Sequence, residues 1–159
     1  MKHLPKHLQP RWRYLAVHLE AWPDAEIDRH SFQRNVWYSA QNLLGDTGSA
    51  ELDLSVLRFR FADGTGEAVV RVRRGEVDRA RGVLACVDSV ERAPVGLRVA
   101  GVSGTIRACE EKYMGRGRKQ PDQRYVAFEG AEQPATVRGP RVDVEAAESY
   151  AGATNLDLQ

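Results

Sequence analysis

Leu15, Val17 and Leu19 alternate with Tyr14, Ala16, His18 and Glu20, the two-residue period of a half-buried strand, and predict one over residues 11–20. Trp22-Pro23-Asp24 interrupts it. Phe32, Val36, Ala40, Leu43 and Leu44 then recur at helical spacing. Asp28 suits the N-cap of this helix, Ile27 and Phe32 suit a hydrophobic staple, and Gly45 suits the left-handed residue after a last turn, so the helix is expected to end there. Residues 50–61 read as a second strand and residues 67–73 as a third, joined by the loop Asp63-Gly64-Thr65-Gly66. A four-residue loop pairs Phe59 with Val70 and Leu57 with Val72. One face of the hairpin is then apolar, and Arg58, Arg60, Arg71 and Arg73 share the other. The alternation slips at Val56 and Leu57, which predicts a bulge.

Val77, Ala80, Val83, Leu84 and Val87 mark a second helix, and Val95, Leu97 and Val99 a fourth strand. The order β-α-β-β-α-β is that of an α/β (α+β) ferredoxin-like, RNA-recognition-like sandwich with both helices on one face of the sheet. Ile106, Cys109 and Tyr113 predict an added C-terminal helix. It can dock on the open sheet face, where Ala16, Gly96 and Ala100 leave little side-chain volume. Residues 1–115 are thus expected to form one domain. Residues 116–159 read as a linker, GRGRKQPD, and a weakly ordered acidic extension in which RYVAF and RVDV are candidate short strands.

Composition adds boundaries. A chain of 159 residues buries one core. It has no run of about 18 apolar residues to span a membrane, and its basic start lacks the apolar centre of a secretory signal, so the cytoplasm is the expected compartment. Cys86 and Cys109 form no metal-binding or disulfide pattern. The net charge of +1 hides a division: residues 1–120 carry 20 Lys and Arg against 15 Asp and Glu, and residues 121–159 carry 3 against 7. Of the 23 basic residues 19 are Arg, whose planar fork suits phosphate.

Candidate chemistry centres on residues 101–112, GVSGTIRACEEK. A serine-hydrolase elbow, G-x-S-x-G, needs glycine where Thr105 stands, and none of His3, His7, His18 and His30 is placed beside Ser103 by sequence. At a helix start, Ser103, Gly104 and Thr105 instead offer free amides, two hydroxyls and close approach for an anion, with Arg107 in the same turn. The competing role for Ser103 or Thr105 is a simple N-cap. The hairpin arginines are a second phosphate candidate, and Tyr14 is the obvious stacking platform.

VAGVSGTIRACEEK, with RWRYL near the start and VVRVRR between, resembles the archaeal ribonuclease P protein component 2 family, which includes a eukaryotic ribonuclease P and MRP subunit. The resemblance spans roughly residues 8–115, and the Arg-rich usage and acidic tail resemble its halophilic members. It implies a subunit of the ribonucleoprotein that removes the 5′ leader from precursor tRNA, an endoribonuclease in which the RNA subunit catalyses. No catalytic residue or cofactor is then expected on this chain, and magnesium ions are expected at the RNA active site. Implied partners are ribonuclease P RNA, protein component 3 and other protein subunits, and precursor tRNA through the complex. Under this reading Arg11, Arg13, Ser103, Gly104, Thr105, Arg107 and Lys112 contact RNA, followed by Tyr14, Arg58, Arg71 and Arg73. Trp37 and Tyr38 are the candidate protein interface. A ferredoxin-like module for a small anion or for regulatory oligomerisation is the alternative.

Overall fold

A computed structural model gives the structure of residues 4–115 and 121–158. The alternation at Leu15, Val17 and Leu19 becomes β1 (Trp12–Ala21), the middle strand of a five-stranded antiparallel sheet. Around it lie β2 (Ser55–Ala62), β3 (Thr65–Arg73), the two-residue β4 (Ser89–Val90) and β5 (Ala93–Ser103), in the spatial order β2-β3-β1-β5-β4. Helices α1 (Arg29–Leu52) and α2 (Val77–Ala85) bury Phe32, Val36, Val83 and Leu84 against Leu15, Val17, Leu19, Val56, Val70 and Val72. Each such side chain contributes about 1.5–3 kcal/mol by leaving water. The architecture is the expected ferredoxin-like sandwich with β4 added at an edge. No helix among the described residues is long and apolar enough to cross a membrane.

The Asp28 carboxylate caps α1 by accepting from the Ser31 amide at 2.7 Å, and that hydrogen bond holds its pKa below the usual value. Gly45 takes the expected left-handed φ of +71°, but the chain re-enters the helix and runs on to Leu52, where Asp53 at φ +49° ends it. Residues 50–52, expected in a strand, are therefore helical. Leu44, Gly48 and Leu52 recur at intervals of four, a signal that the alternation of Leu52 and Leu54 masked.

The β2–β3 hairpin also departs from expectation. Asp63 and Gly64 (φ +52° and +76°) make a two-residue turn, so Phe59 lies opposite Ala68 and Arg58 opposite Val69 rather than two positions further on. The expected bulge is present: pairing passes from Val56↔Val70 to Arg58↔Val69 and leaves Leu57 over. That extra residue turns Arg58 and Arg60 onto the face of Arg71 and Arg73. A second bulge, unexpected, lies in β5, where Val17↔Val99 is followed by Ala16↔Gly101 with Ala100 left over. Leu97 and Val99 thus face the helices, whereas Gly101 and Ser103 face the other side.

On that side sits α3 (Ile106–Tyr113), which closes much of the open face. Cys109 is buried with Ala16 and Val69, and Tyr14, Ala100, Tyr113 and Met114 pack around them. Ile106 is half-buried at the first turn, outside this cluster. His18 links helix to sheet: its Nε2 is 3.0 Å from the Tyr113 carbonyl and its Nδ1 3.0 Å from the Arg98 guanidinium. A carbonyl only accepts and a guanidinium only donates, so Nε2 carries the proton. The Gly115 amide then donates to Glu67 as the chain leaves the sheet.

The linker expected at 115–122 falls mostly on residues outside those described. Beyond it, where weak order was expected, stand four antiparallel strands in sequence order: β6 (Asp122–Phe128), β7 (Ala131–Arg138), β8 (Arg141–Ala146) and β9 (Ser149–Thr154). They join through two-residue turns and bury Val126, Ala135, Val137, Val142, Val144 and Ala153 together. The inward positions are mostly small, so the polar outward half dominated the composition and hid the alternation. Arg138 fixes this second sheet to the first, donating to the carbonyls of Gly64 (2.7 Å) and Ala21 (3.0 Å) while pairing with Asp143. Arg141 pairs with Glu20, and Tyr150 stacks on Trp22.

Candidate nucleic-acid interface

β1, β3 and β5 end together at the junction with α3, and most of the expected RNA-facing residues meet there. Arg13 and Tyr14 come from β1, Arg71 and Arg73 from β3, and Ser103 from the end of β5. The Arg11 carbonyl accepts from the Arg74 amide at 2.9 Å, so these two arginines extend the same end of the sheet. Across the open face, Arg71, Tyr14 and Ser103 stand in one row because Arg71 pairs with Tyr14 and Tyr14 with Ser103. Gly104 lies beside the Arg13 guanidinium: a methyl at Gly104 would sit 3.7 Å from it.

Ser103 and Thr105, read alike in the sequence, do different things. Thr105 is the N-cap of α3, its Oγ1 accepting from the Ala108 amide at 3.1 Å. Ser103 is only 8% exposed, and its Oγ has no hydrogen-bond partner among the described residues. Its hydroxyl is thus a donor not used by the described residues. Arg71 Nε is buried and unpartnered in the same way.

The charges differ in how free they are. Arg58 pairs with Glu110 (3.3 Å), Arg60 with Glu67 (3.0 Å), Arg73 with Asp53 (3.1 Å) and Arg107 with Glu111 (2.7 Å). Arg58, Arg60 and Arg107 are well exposed and Arg73 half-buried; the exposed pairs stabilise little and can exchange a carboxylate for a phosphate. Arg11, Arg13, Arg71 and Lys112 form no ion pair among the described residues. Lys112 and Arg107 stand on α3 itself, Arg107 in its first turn and Lys112 in its last.

Trp12 was missed in the sequence. The Arg71 guanidinium lies 3.8 Å from its ring centroid and that of Arg73 4.3 Å, so it gathers both arginines by cation–π contact. Its position two residues before Tyr14, on the same strand face, was the available signal. Arg74 was missed too, although it adjoins Arg73. Tyr14, expected as an open platform, is partly covered by α3 through the Cys109 cluster.

The two aromatics expected at a protein interface are exposed but diverge. Trp37 is 48% exposed and donates to the Leu54 carbonyl at 2.8 Å, beside the start of β2. Tyr38, 56% exposed, lines a groove with Leu43, Cys86 and Asp88 on the other flank of α1.

The chain is similar to several known proteins. A ribonuclease P protein component 2 of Natronomonas pharaonis is 62% identical over 159 residues, covering 100% of this chain and 99% of the relative. The protein of the same name from Haloarcula marismortui is 59% identical over 161 residues, covering all of both. A chain from a cryo-EM structure of yeast ribonuclease MRP is similar at 15% identity with a TM-score of 0.48, over 63% of this chain and 79% of that one. The model of the Rpp14/Pop5 family matches residues 13–114, from the start of β1 to the end of α3, and the chain belongs to that family.

Proposed function

We propose that this chain is a protein subunit of ribonuclease P, the ribonucleoprotein that removes the 5′ leader from precursor tRNA. The reading rests on the full-length likeness to proteins named ribonuclease P protein component 2, together with the arginine-rich corner where β1, β3 and β5 meet α3. The RNA subunit performs the cleavage with magnesium ions, and this cytoplasmic chain supplies cations and hydrogen-bond donors to RNA strands that otherwise repel one another. Arg11, Arg13, Ser103, Gly104 and Arg107 contact phosphates, with Arg58, Arg71, Arg73 and Lys112 at the margin. Thr105 acts through its cap, holding the α3 amides in position. Protein component 3 docks on α1, using Tyr38 or Trp37. An independent anion-binding or oligomerisation module is not favoured, because neither accounts for the likeness over the whole chain.

Reconstitution tests the proposal. The chain is mixed with a cognate ribonuclease P RNA and protein component 3, and precursor cleavage is measured with and without it. Stimulation is expected, and none would overturn the reading. Arg107→Ala in the same assay is expected to raise the magnesium concentration needed for half-maximal cleavage, since a cation beside the RNA is lost.

A further inference from the structure

The layer formed by Trp12, Arg71 and Arg73 does more than neutralise phosphate. Two guanidiniums with their Cζ atoms 3.8 and 4.3 Å from one indole centroid make a cationic, partly exposed cluster of planar groups. Planar groups of this kind bind nucleobases by their faces. In a duplex those faces are already occupied by neighbouring pairs, so such a cluster favours unpaired nucleotides. Beside it, Arg71 Nε and Ser103 Oγ are buried without partners, whereas the other terminal group in the layer, that of Arg73, already holds Asp53. Trp12 and Ser103 are one strand apart and about two residues offset, about 8 Å between backbones, the scale of a single nucleotide.

We propose that this corner takes one unpaired nucleotide of RNA. Its base extends the Trp12–arginine layer, and its phosphate lies toward Ser103 and Gly104, within reach of Arg13. Ser103 Oγ donates to it, while Arg71 and Arg73 stay against Trp12. This rests on the reading of the chain as an RNA-binding subunit and deepens it: the electrostatic role needs only charge, whereas this site distinguishes unpaired from paired RNA.

The test uses the full chain with two probes at one salt concentration, a single-stranded oligoadenylate and an RNA hairpin duplex with the same number of phosphates. Trp12→Leu keeps an apolar strand residue but removes the π face; it is expected to weaken oligoadenylate binding about tenfold and to leave duplex binding and the salt dependence of both unchanged. Trp12→Phe is expected to keep most of the affinity. Arg71→Lys, which retains the charge without the plane and leaves the core untouched, is expected to weaken oligoadenylate binding more than duplex binding, and so guards against misfolding of the tryptophan variants. Equal oligoadenylate binding by wild type, Trp12→Leu and Arg71→Lys overturns the inference, as does parallel weakening of both probes. Cleavage stimulation by the reconstituted wild-type chain separates the two claims. If it occurs without dependence of oligoadenylate binding on Trp12, only the nucleotide site falls; if it fails while that dependence holds, only the subunit reading falls.

Discussion

Gly101 lies directly beneath the Tyr113 ring, and a methyl added there would overlap its carbons. Gly101→Ala must therefore push Tyr113, and α3 with it, off the sheet. A loss of about 2 kcal/mol is expected in urea unfolding, and a smaller loss in a Tyr113→Ala background where the obstacle is gone. Cys109, one turn before Tyr113 on α3, behaves as a small apolar residue. Burial raises its thiol pKa from 9.0 to about 11. Because the folded state holds this proton more tightly than the unfolded one, the contribution of Cys109 is intact below pH 9 and is lost as pH rises toward 11. Cys109 is expected to contribute a fall in stability with a slope approaching about 1.4 kcal/mol per pH unit in that window, and Cys109→Ala is expected to remove that contribution. Exposed Cys86 is expected to react with a thiol reagent at pH 8 while Cys109 reacts only on unfolding.

At the level of elements, the strand and helix order was legible because Leu15, Val17 and Leu19 and then Phe32, Val36 and Ala40 keep clean periods against a single core. What escaped was whatever depended on counting residues between elements. Asp63-Gly64 and Asp63-Gly64-Thr65-Gly66 are both plausible turns, and only packing of Phe59 and Phe61 against the core chooses the shorter. For α3 the sequence left capping and anion binding open, and the structure gives the cap to Thr105. Thr105→Ala is expected to destabilise the protein by about 1 kcal/mol and Thr105→Ser to recover most of it, measured by thermal unfolding. The candidate RNA surface was legible in its arginines but not in Trp12, whose role appears only once two arginines from another strand are brought beside it. The second sheet shows the same limit: nothing in RYVAF or RVDV announces that Arg138 will bind the Gly64 and Ala21 carbonyls. Arg138→Met, which strands the Asp143 carboxylate in a buried site, is expected to loosen this docking by about 3 kcal/mol. Hydrogen exchange should then quicken in residues 122–154 and at the β2–β3 turn, and stay unchanged in α1 and α2.

Across the whole molecule, charge is divided along β1. Arginines surround its first residues, and the acidic second sheet is fastened at its last, beside Glu20 and Ala21. Ten residues of strand separate the two by about 30 Å, several screening lengths at physiological salt. The acidic sheet is therefore too far from the arginine corner to restrain anion binding there. Replacing Glu129, Glu132 and Glu148 with Gln is expected to leave the slope of RNA affinity against salt unchanged, whereas Arg13→Ala should reduce it by about one counterion. The family match covers residues 13–114, and the second sheet, which follows it, is attached at the end of β1 away from the arginines.

The leftover residue at Ala100 decides which changes of length this part of the chain can absorb. Side chains alternate between faces, so a residue inserted in or deleted from a regular strand exchanges what lies on either side of it. At Ala100 the exchange has already been made: without it Val99↔Val17 and Gly101↔Ala16 would be consecutive pairs, so a single-codon deletion there straightens the strand and leaves Gly101 and Ser103 on the face of α3. A codon inserted between Gly101 and Ser103 instead turns Ser103 toward α1 and α2. In a library of single-codon changes scored by precursor cleavage, loss of Ala100 should therefore be tolerated better than a residue gained after Gly101.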